Sequence, residues 1–331
     1  MTKVLVTGGA GFIGSCLTAR FLKRGDHVII LDNFSNGFAA RLKDSFTNPR
    51  FECVRGDIRD ETILRKILKD CSMVFHLAAN SNARRGVKDT SIDFEQNLVG
   101  TRLLLECMKE SASCKRIVFT STSTIYGEAR TIPTPESYGP LKPISLYGAS
   151  KLACEAMISA YSHLFGIKST ILRLANVIGP TSNHGVVYDL TRKLMRRSDR
   201  IQVLGDGTQR KSYLYVDDCI EALLIAGALG EHESEVFNVG SSDSIPVTEV
   251  LQVIERVFGQ RVNGNVDFKD SGEGRGWPGD VREMMLDCSK LKGRGWKVRY
   301  DSRAAIETTV TRFLRTNTFE IDSDIRVASL T

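Results

Sequence analysis

Tyr147 and Lys151 stand four residues apart in Ser145-Leu146-Tyr147-Gly148-Ala149-Ser150-Lys151, about 25 residues after the hydroxyl-rich segment Thr120-Ser121-Thr122-Ser123-Thr124. On a helix this i,i+4 spacing puts a phenol and an ammonium on one face. A tyrosine with a reference pKa of about 10 is a poor base near neutrality. A cation about 6 Å away, at an effective dielectric of about 20, favours the phenolate by roughly 2.8 kcal/mol, or about two pKa units. A second cation nearby brings it close to neutrality. The spacing also fits a solvated pair on a helix surface, so the choice rests on what the rest of the chain holds beside it.

The N-terminus supplies such a cation. Lys3-Val4-Leu5-Val6-Thr7 is a short strand-forming run, followed by Gly8-Gly9-Ala10-Gly11-Phe12-Ile13-Gly14 and a helical pattern with Phe12, Ile13, Cys16, Leu17 and Phe21 on one side. The glycines fall as G-x-x-G-x-x-G, wider than the commonest dinucleotide fingerprint. The mechanics carry over: a tight turn, close backbone approach to a pyrophosphate, and close helix-strand packing. The next strand, His27-Val28-Ile29-Ile30-Leu31, ends at Asp32, about 20 residues after the glycine turn. A carboxylate there accepts the hydroxyls of an adenosine ribose and repels a 2'-phosphate, so NAD is expected over NADP. Its oxidised nicotinamide is the second cation.

The 331 residues, 42% hydrophobic and 25% charged, are those of a globular protein with a large core, either one domain or a nucleotide-binding domain with a smaller companion. No apolar run reaches the ~18 residues of a membrane span, and no apolar leader opens the chain, so a cytoplasmic protein without a membrane partner is expected. Eight cysteines are scattered with no C-x-x-C pair, which reads as small buried residues in a reducing compartment, with no metal expected. The net charge of +6 is modest, and basic residues cluster at Arg192-Lys193, Arg196-Arg197, Arg200 and Arg210-Lys211. They read as a solvated face or as neutralisers of a small diphosphate. Aromatic residues do not interleave with them, so nucleic acid is not the expected partner.

Strand-like runs recur at Phe51–Arg55, residues 73–77, residues 116–121 and residues 169–174, alternating with helical stretches at Glu61–Leu68, residues 94–109 and Leu146–Phe165. This alternation predicts an α/β fold with a Rossmann-type, doubly wound parallel sheet, whose ligands gather at the carboxyl ends of its strands. Beyond about residue 180 shorter elements alternate with glycine-rich turns, as in Gly272-Glu273-Gly274-Arg275-Gly276-Trp277-Pro278-Gly279. The expected division is a cofactor domain at 1–180 with later elements interleaved, a smaller α+β substrate region at 181–315, and a polar tail at 316–331.

Taken together, residues 7–14, Asp32-Asn33, Gly56-Asp57-Ile58, His76-Leu77-Ala78-Ala79, residues 121–127 and residues 147–151 resemble the extended short-chain dehydrogenase/reductase family. Within it they are most similar to the nucleotide-sugar branch and its UDP-glucose 4-epimerases. The resemblance spans about residues 1–315, and its glycine spacing is the one seen here. It implies that Gly8, Gly11, Phe12, Ile13 and Gly14 hold the NAD pyrophosphate, Asp32 and Asn33 the adenosine ribose, and Asp57 and Ile58 the adenine. Leu77, Ala78, Ala79 and Ala175 would lie at the nicotinamide, with Asn97 on a helix behind it. It implies catalytic roles for Thr122, Tyr147 and Lys151, with Lys151 holding the nicotinamide ribose and depressing the tyrosine pKa. Asn176, Lys211 and Asp280, with Thr122, would contact the UDP-sugar.

The related 4,6-dehydratases carry Asp-Glu where this chain has Ser123-Thr124, and UDP-glucuronate decarboxylases a Glu at the second position. Without those carboxylates, the implied reaction is reversible oxidation at C4: Tyr147 takes the 4-hydroxyl proton, the hydride passes to NAD, and the 4-keto sugar turns before the hydride returns. The resemblance also implies a homodimer through residues 94–109 and 146–165. Two departures bear on the substrate. Lys211 stands where many relatives have an arginine, and Trp277-Pro278-Gly279-Asp280 where they have Arg-Pro-Gly-Asp, so the phosphate grip falls to Lys211, Arg275 or Arg282. The pocket-size gate falls near Met284. The sequence does not separate UDP-glucose, UDP-N-acetylglucosamine and UDP-uronates, and it leaves open a net-redox dehydrogenase or 4-keto reductase and a non-enzymatic NAD sensor.

Overall fold

A computed structural model describes residues 2–196, 200–229, 233–259 and 266–315; the expected tail at 316–331 and Arg197 lie outside the described residues. The apolar runs form strands β1 (Lys3–Thr7), β2 (His27–Asp32), β3 (Phe51–Arg55), β4 (Met73–His76), β5 (Arg116–Thr122) and β6 (Lys168–Leu174). With β11 (Ser234–Val239) they make a seven-stranded parallel sheet in the order β11-β6-β5-β4-β1-β2-β3. Most of these strands are buried on both sides, which is why their sequences read as near-continuous apolar runs. The chain builds outward from β1 to β3, then crosses back to β4 and builds the other way. The gap between the carboxyl ends of β1 and β4 is therefore the switch point, where doubly wound sheets bind ligands.

Helix α1 (Phe12–Lys23) and α8 (Val216–Ala228) pack together on one face, while α2 (Glu61–Leu68), α5 (Gly100–Glu110) and α6 (Leu146–Phe165) cover the other. The stretch expected as one helix over 94–109 begins instead with a π-helical turn, Phe94–Val99, before α5. That wider turn carries Asn97 inward, where it is 1% exposed. Between β4 and this turn lie two short helical turns, α3 (Arg85–Lys88) and α4 (Ser91–Asp93).

The smaller lobe is built from a β7 (Asn176–Ile178) and β10 (Tyr213–Tyr215) pair, a β8 (Ile201–Leu204) and β13 (Val266–Lys269) pair, and a sheet of β12 (Ile245–Pro246), β9 (Arg210–Lys211) and β14 (Glu283–Met284). Helices α7 (Val186–Met195), α9 (Val247–Phe258), α10 (Ser289–Lys292) and α11 (Ser302–Arg315) complete it. From beyond residue 180, β11 is a strand of the large sheet and α8 packs against its strands β5 and β6. Among the described residues no helix is long and apolar enough to cross a membrane.

Candidate active site

A cleft of about 810 Å³ runs from the β1 glycine turn, over the ends of β4 and β5, to Lys211 of β9 in the smaller lobe. At its first end Gly8 adopts φ 70°, and a Cβ there would lie 2.8 Å from the Ala78 backbone nitrogen. A Cβ on Gly14 would overlap the Gly8 carbonyl oxygen and stand 2.9 Å from the Gly9 Cα. The glycines thus let helix α1 seat directly on the turn. Gly11 caps α1 without a side-chain hydrogen bond, so the first-turn N–H groups face the cleft with the positive end of the helix dipole. Gly14→Ala is expected to destabilise the protein by about 1–3 kcal/mol through overpacking. It should also strip NAD from the purified protein, both readable by denaturant titration and cofactor extraction.

Asp32 closes the adenosine end. Its Oδ2 accepts from the Ala10 N–H at 2.9 Å and its Oδ1 from the Phe34 N–H at 2.8 Å, tying the end of β2 to the glycine turn. Burial nonetheless raises its pKa above the usual carboxylate value, outweighing those two bonds. Asn33 and Ile58 line the cleft, but Asp57 stands just outside its wall. There it accepts from Asn33 Nδ2 at 3.1 Å and from Arg59, which holds its carboxyl down at about 2.

Leu77, Ala78 and Ala79 line the middle of the cleft. Their position is set by a chain of hydrogen bonds beneath them. Thr7 Oγ1 accepts from the Leu77 and Ala78 N–H groups at 3.2 Å each, so its own hydrogen goes to His76 Nδ1 at 2.7 Å. His76 Nε2–H then donates to Thr101 Oγ1 at 2.9 Å, and Thr101 donates to the Asn97 carbonyl at 2.6 Å. His76 is fully buried, and burial followed by the Lys151 charge pushes its pKa down to about 3. Asn97 does not line the cleft. Its Oδ1 accepts from Asn80 N–H at 2.8 Å and its Nδ2 donates to Ser150 Oγ at 2.8 Å, bracing the β4 loop against helix α6.

A depressed histidine pKa makes stability pH-dependent in a definite direction. Between about 3 and the unfolded value near 6.5 the folded chain binds fewer protons than the unfolded one, so stability is lost as pH falls through that window. From pH 6.5 to 5.5 the protein should lose about 1 kcal/mol more than the His76→Gln variant, measured by urea unfolding at each pH.

Thr122, Thr124, Tyr147 and Lys151 converge on the cleft from the end of β5 and the first turns of α6. Ser145 fixes the start of α6 by accepting from the Gly148 N–H at 3.1 Å, and Ser150 Oγ donates to the Tyr147 carbonyl at 2.8 Å. Thr122 Oγ1 lies 3.1 Å from Thr124 Oγ1. Lys151, 2% exposed, donates to the Thr120 carbonyl at 2.8 Å and sits 4.5 Å over the Phe119 ring. Burial brings its pKa down to about 8, so it keeps most of its charge at neutrality.

The expectation that Lys151 depresses the Tyr147 pKa is corrected here. Burial dominates, followed by Asp93 and Cys154, and the phenol is pushed above the ordinary tyrosine value. The lysine ammonium is turned toward the strand carbonyl, so it does not offset that burial. A further positive charge beside the phenol is needed to make it a base.

Toward the smaller lobe, Ala175 and Asn176 line the cleft at the end of β6 and start of β7. Lys211 and Asp280 also line it but hold each other: Nζ stands 2.9 Å from Asp280 Oδ1 and also donates to the Val281 carbonyl. Lys193, from the basic cluster, lines the cleft and donates to the Gln202 carbonyl at 2.6 Å. Arg275 pairs with Glu128 and Glu273, and exposed Arg282 does not line the cleft. Met284 is corrected as a gate. It is 4% exposed, packs in the hydrophobic core through the β14 pairing with β9, and does not line the cleft.

The cleft residues not singled out as ligands in the sequence include Trp277, Tyr213 and Arg41. Trp277 lines the wall of the smaller lobe, and Tyr213 beside Asn176 has a buried hydroxyl with no hydrogen-bond partner among the described residues. Arg41 lines the adenosine end and donates to the Thr181 carbonyl at 2.6 Å. None of the three had a local signal; the register that sets Tyr213 beside Asn176 forms only in the fold.

The glycine cradle, the uncapped α1 N-terminus and the buried Asp32 fit a dinucleotide with free ribose hydroxyls, so the residues present fit NAD. Comparison with known proteins agrees. The sequence model of the NAD dependent epimerase/dehydratase family matches residues 4–240. The chain is 32% identical to a UDP-glucose 4-epimerase of Halalkalibacterium halodurans over 93% of each chain. It superposes on a Thermotoga maritima UDP-glucose 4-epimerase solved with UDP-glucose, with a TM-score of 0.85 and 32% identity over 95% of this chain and 99% of that one. A Bacillus cereus UDP-glucuronic acid 4-epimerase in complex with UDP-glucuronic acid and NAD matches with a TM-score of 0.86 and 28% identity, over 95% and 99%.

Proposed function

The chain belongs to the NAD-dependent epimerase/dehydratase family, and from that premise we propose that it is a UDP-glucose 4-epimerase, inverting C4 of the hexose without net redox change. The observation that carries this reading is that, among the described residues, no carboxylate lines the cleft at Tyr147 or stands at the Ser123 and Thr124 positions; Asp93, whose charge reaches the phenol, lies behind the wall, held by Asn80 and Asn97. Among the described residues the carboxylates lining the cleft are Asp32 at the adenosine end, Asp189 facing Arg84, and Asp280 bound to Lys211. Ser123 is buried and Thr124 offers only a hydroxyl. Elimination of water needs a separate acid and base, which this site does not provide; proton exchange at one hydroxyl needs only Tyr147.

NAD, when bound, would supply a reversible hydride acceptor and the further positive charge that Tyr147 needs to act as a base. The first-turn N–H groups of α1 would hold its pyrophosphate, Asp32 and Asn33 its adenosine ribose, and Lys151 its second ribose. Tyr147 removes and returns the proton of the sugar 4-hydroxyl, while Thr122 hydrogen-bonds the same oxygen and fixes its angle. Asn176 and Lys211 anchor the diphosphate so that the sugar, not the nucleotide, turns between the two half-reactions. Burial of the phenol and the lysine excludes water from the proton path.

We further propose a cytoplasmic homodimer, supported by eight unpaired cysteines and by the exposed Phe94, Leu164 and Phe165 on the helices expected to pair. The test of function is to incubate purified protein with UDP-glucose, UDP-N-acetylglucosamine and UDP-glucuronate separately, without added cofactor, following the anomeric protons by NMR. A galacto-configured product from UDP-glucose is expected. Turnover only when NAD or NADH is supplied would make the protein a dehydrogenase or reductase instead.

A further inference from the structure

One buried ion pair holds both ends of the segment that begins with Ser121 and Thr122. Glu155 of α6 and Arg173 of β6 are both buried, and Arg173 Nη2 donates to Glu155 Oε2 at 2.8 Å. At the start of the segment, Ser121 Oγ donates to Glu155 Oε1. At its end, Arg173 Nη1 donates to Tyr126 Oη at 2.9 Å, and the guanidinium lies 5.0 Å from the Tyr126 ring centroid. Between these two points the chain leaves β5 and makes a single 3₁₀ turn, Ser123–Tyr126, capped by Thr122, whose Oγ1 accepts the Thr124 N–H at 3.2 Å. That bond occupies a lone pair of the Thr122 hydroxyl, so where its hydrogen can point is set by how the turn is held.

The carboxylate at the start of the segment belongs to the helix that carries Tyr147. Tyr147, Lys151 and Glu155 follow one another at four-residue spacing, which makes them one stripe of α6. Lys151 donates to the Thr120 carbonyl at 2.8 Å, and Glu155 accepts from the next side chain of the strand, Ser121. Both Glu155 oxygens also accept from Arg173, so the serine is bound to a carboxylate that a forked guanidinium already orients. Glu155, Arg173 and Tyr126 stand behind the cleft wall and do not line it, whereas Ser121, Thr122 and Tyr147 do. The pair therefore acts on the site only through the residues it holds.

Resting on the epimerase reading, we propose that Ser121, Glu155 and Arg173 are positioning residues: they pin the turn after β5 to α6, so that Thr122 and Tyr147 meet the same oxygen of the sugar. Since none of the pinning bonds is spent on a ligand, their loss should fall on turnover rather than on binding.

The experiment removes each pin without breaking the ion pair. Ser121→Ala takes away the bond at the start of the segment and Tyr126→Phe the one at its end, and Ser121→Ala is also made in a Thr122→Val background. Each single change should lower kcat for UDP-glucose about tenfold while KM and NAD content stay within about twofold. In the Thr122→Val background Ser121→Ala should cost less than about twofold, because the hydroxyl it positions is gone. Amide hydrogen exchange of the NAD-loaded protein, read by mass spectrometry, should quicken over residues 122–126 in Ser121→Ala and stay unchanged over α1. An unchanged kcat in either single variant, an equal loss with and without Thr122, or unchanged exchange over 122–126 would each overturn the proposal. Exchange is read without turnover, so quickened exchange in a protein whose unaltered form fails to epimerise UDP-glucose would sink the functional reading and leave the pin in place.

Discussion

Replacing Tyr147 by phenylalanine removes one oxygen from the cleft and is expected to lower turnover by about 10²–10⁴-fold, the usual range for a lost acid-base group. Several observations separate this from a folding effect. Tyr147 contributes its carbonyl to Ser150, a bond phenylalanine keeps, and the N-cap of α6 rests on Ser145 rather than on the phenol. NAD content and melting temperature should therefore be unchanged. Burial already pushes the phenol above its ordinary pKa, so the residue is a base only when a positive charge sits beside it. The tyrosine should consequently titrate lower in the NAD-loaded protein than in protein stripped of NAD, readable as tyrosinate absorbance during a pH titration against Tyr147→Phe. An identical titration in both forms would contradict the proposed activation. If the variant kept a tenth or more of the activity, Tyr147 would not be the base.

The largest effect on stability is expected away from the cleft, at Arg173. It lies on β6 and is 6% exposed, with Nε and Nη2 donating to Glu155 of α6 at 2.8 to 3.2 Å. Its Nη1 donates to Tyr126 Oη at 2.9 Å and to the Glu136 carbonyl at 3.1 Å. Tyr126 in turn donates to Asn238 Oδ1 at 2.7 Å, and Asn238 Nδ2 reaches the Thr134 and Asp287 carbonyls at 2.9 and 3.1 Å. Ser121, on the cleft wall, donates to the same Glu155. This network joins helix α6, the sheet and the smaller lobe. Arg173→Met should cost about 3–5 kcal/mol, because it leaves the buried Glu155 carboxylate unpaired. The double variant Arg173→Met with Glu155→Leu should recover much of that loss, since a buried pair replaced by apolar side chains is often nearly neutral. Urea unfolding of the three proteins checks this; a double variant no more stable than the single one would show that the network's polar bonds, not the unpaired charge, set the cost.

The elements that make the fold were legible where one physical signal dominated. Continuous apolar runs gave the strands of the parallel sheet, and the glycine turn with Asp32 marked one end of the cleft, because backbone approach and a strand-end carboxylate leave local marks. Asn97 was placed behind the cofactor on a helix, but the π-helical turn that turns it inward has no local mark, since its cause is packing against Ser150 and Asn80. The direction of the Tyr147 shift was missed for a related reason: burial is a property of the assembled cleft, whereas the four-residue spacing to Lys151 is visible in the chain. Met284 was read as a gate from its position in a motif, and the short β14 pairing that buries it depends on β9, more than 70 residues earlier. Lys211 and Asp280 were read as two separate ligand contacts, and only their approach across the fold makes them a pair.

In the proposed reaction one hydrogen leaves C4 and returns to the same carbon without reaching solvent. UDP-glucose carrying deuterium at C4, incubated with the purified protein in ordinary water, should give UDP-galactose with the deuterium still at C4, seen by mass and by the missing H4 signal in the NMR spectrum. Loss of the label to solvent would place the reaction at an acidic C–H instead and contradict the assignment of Tyr147 to the 4-hydroxyl proton.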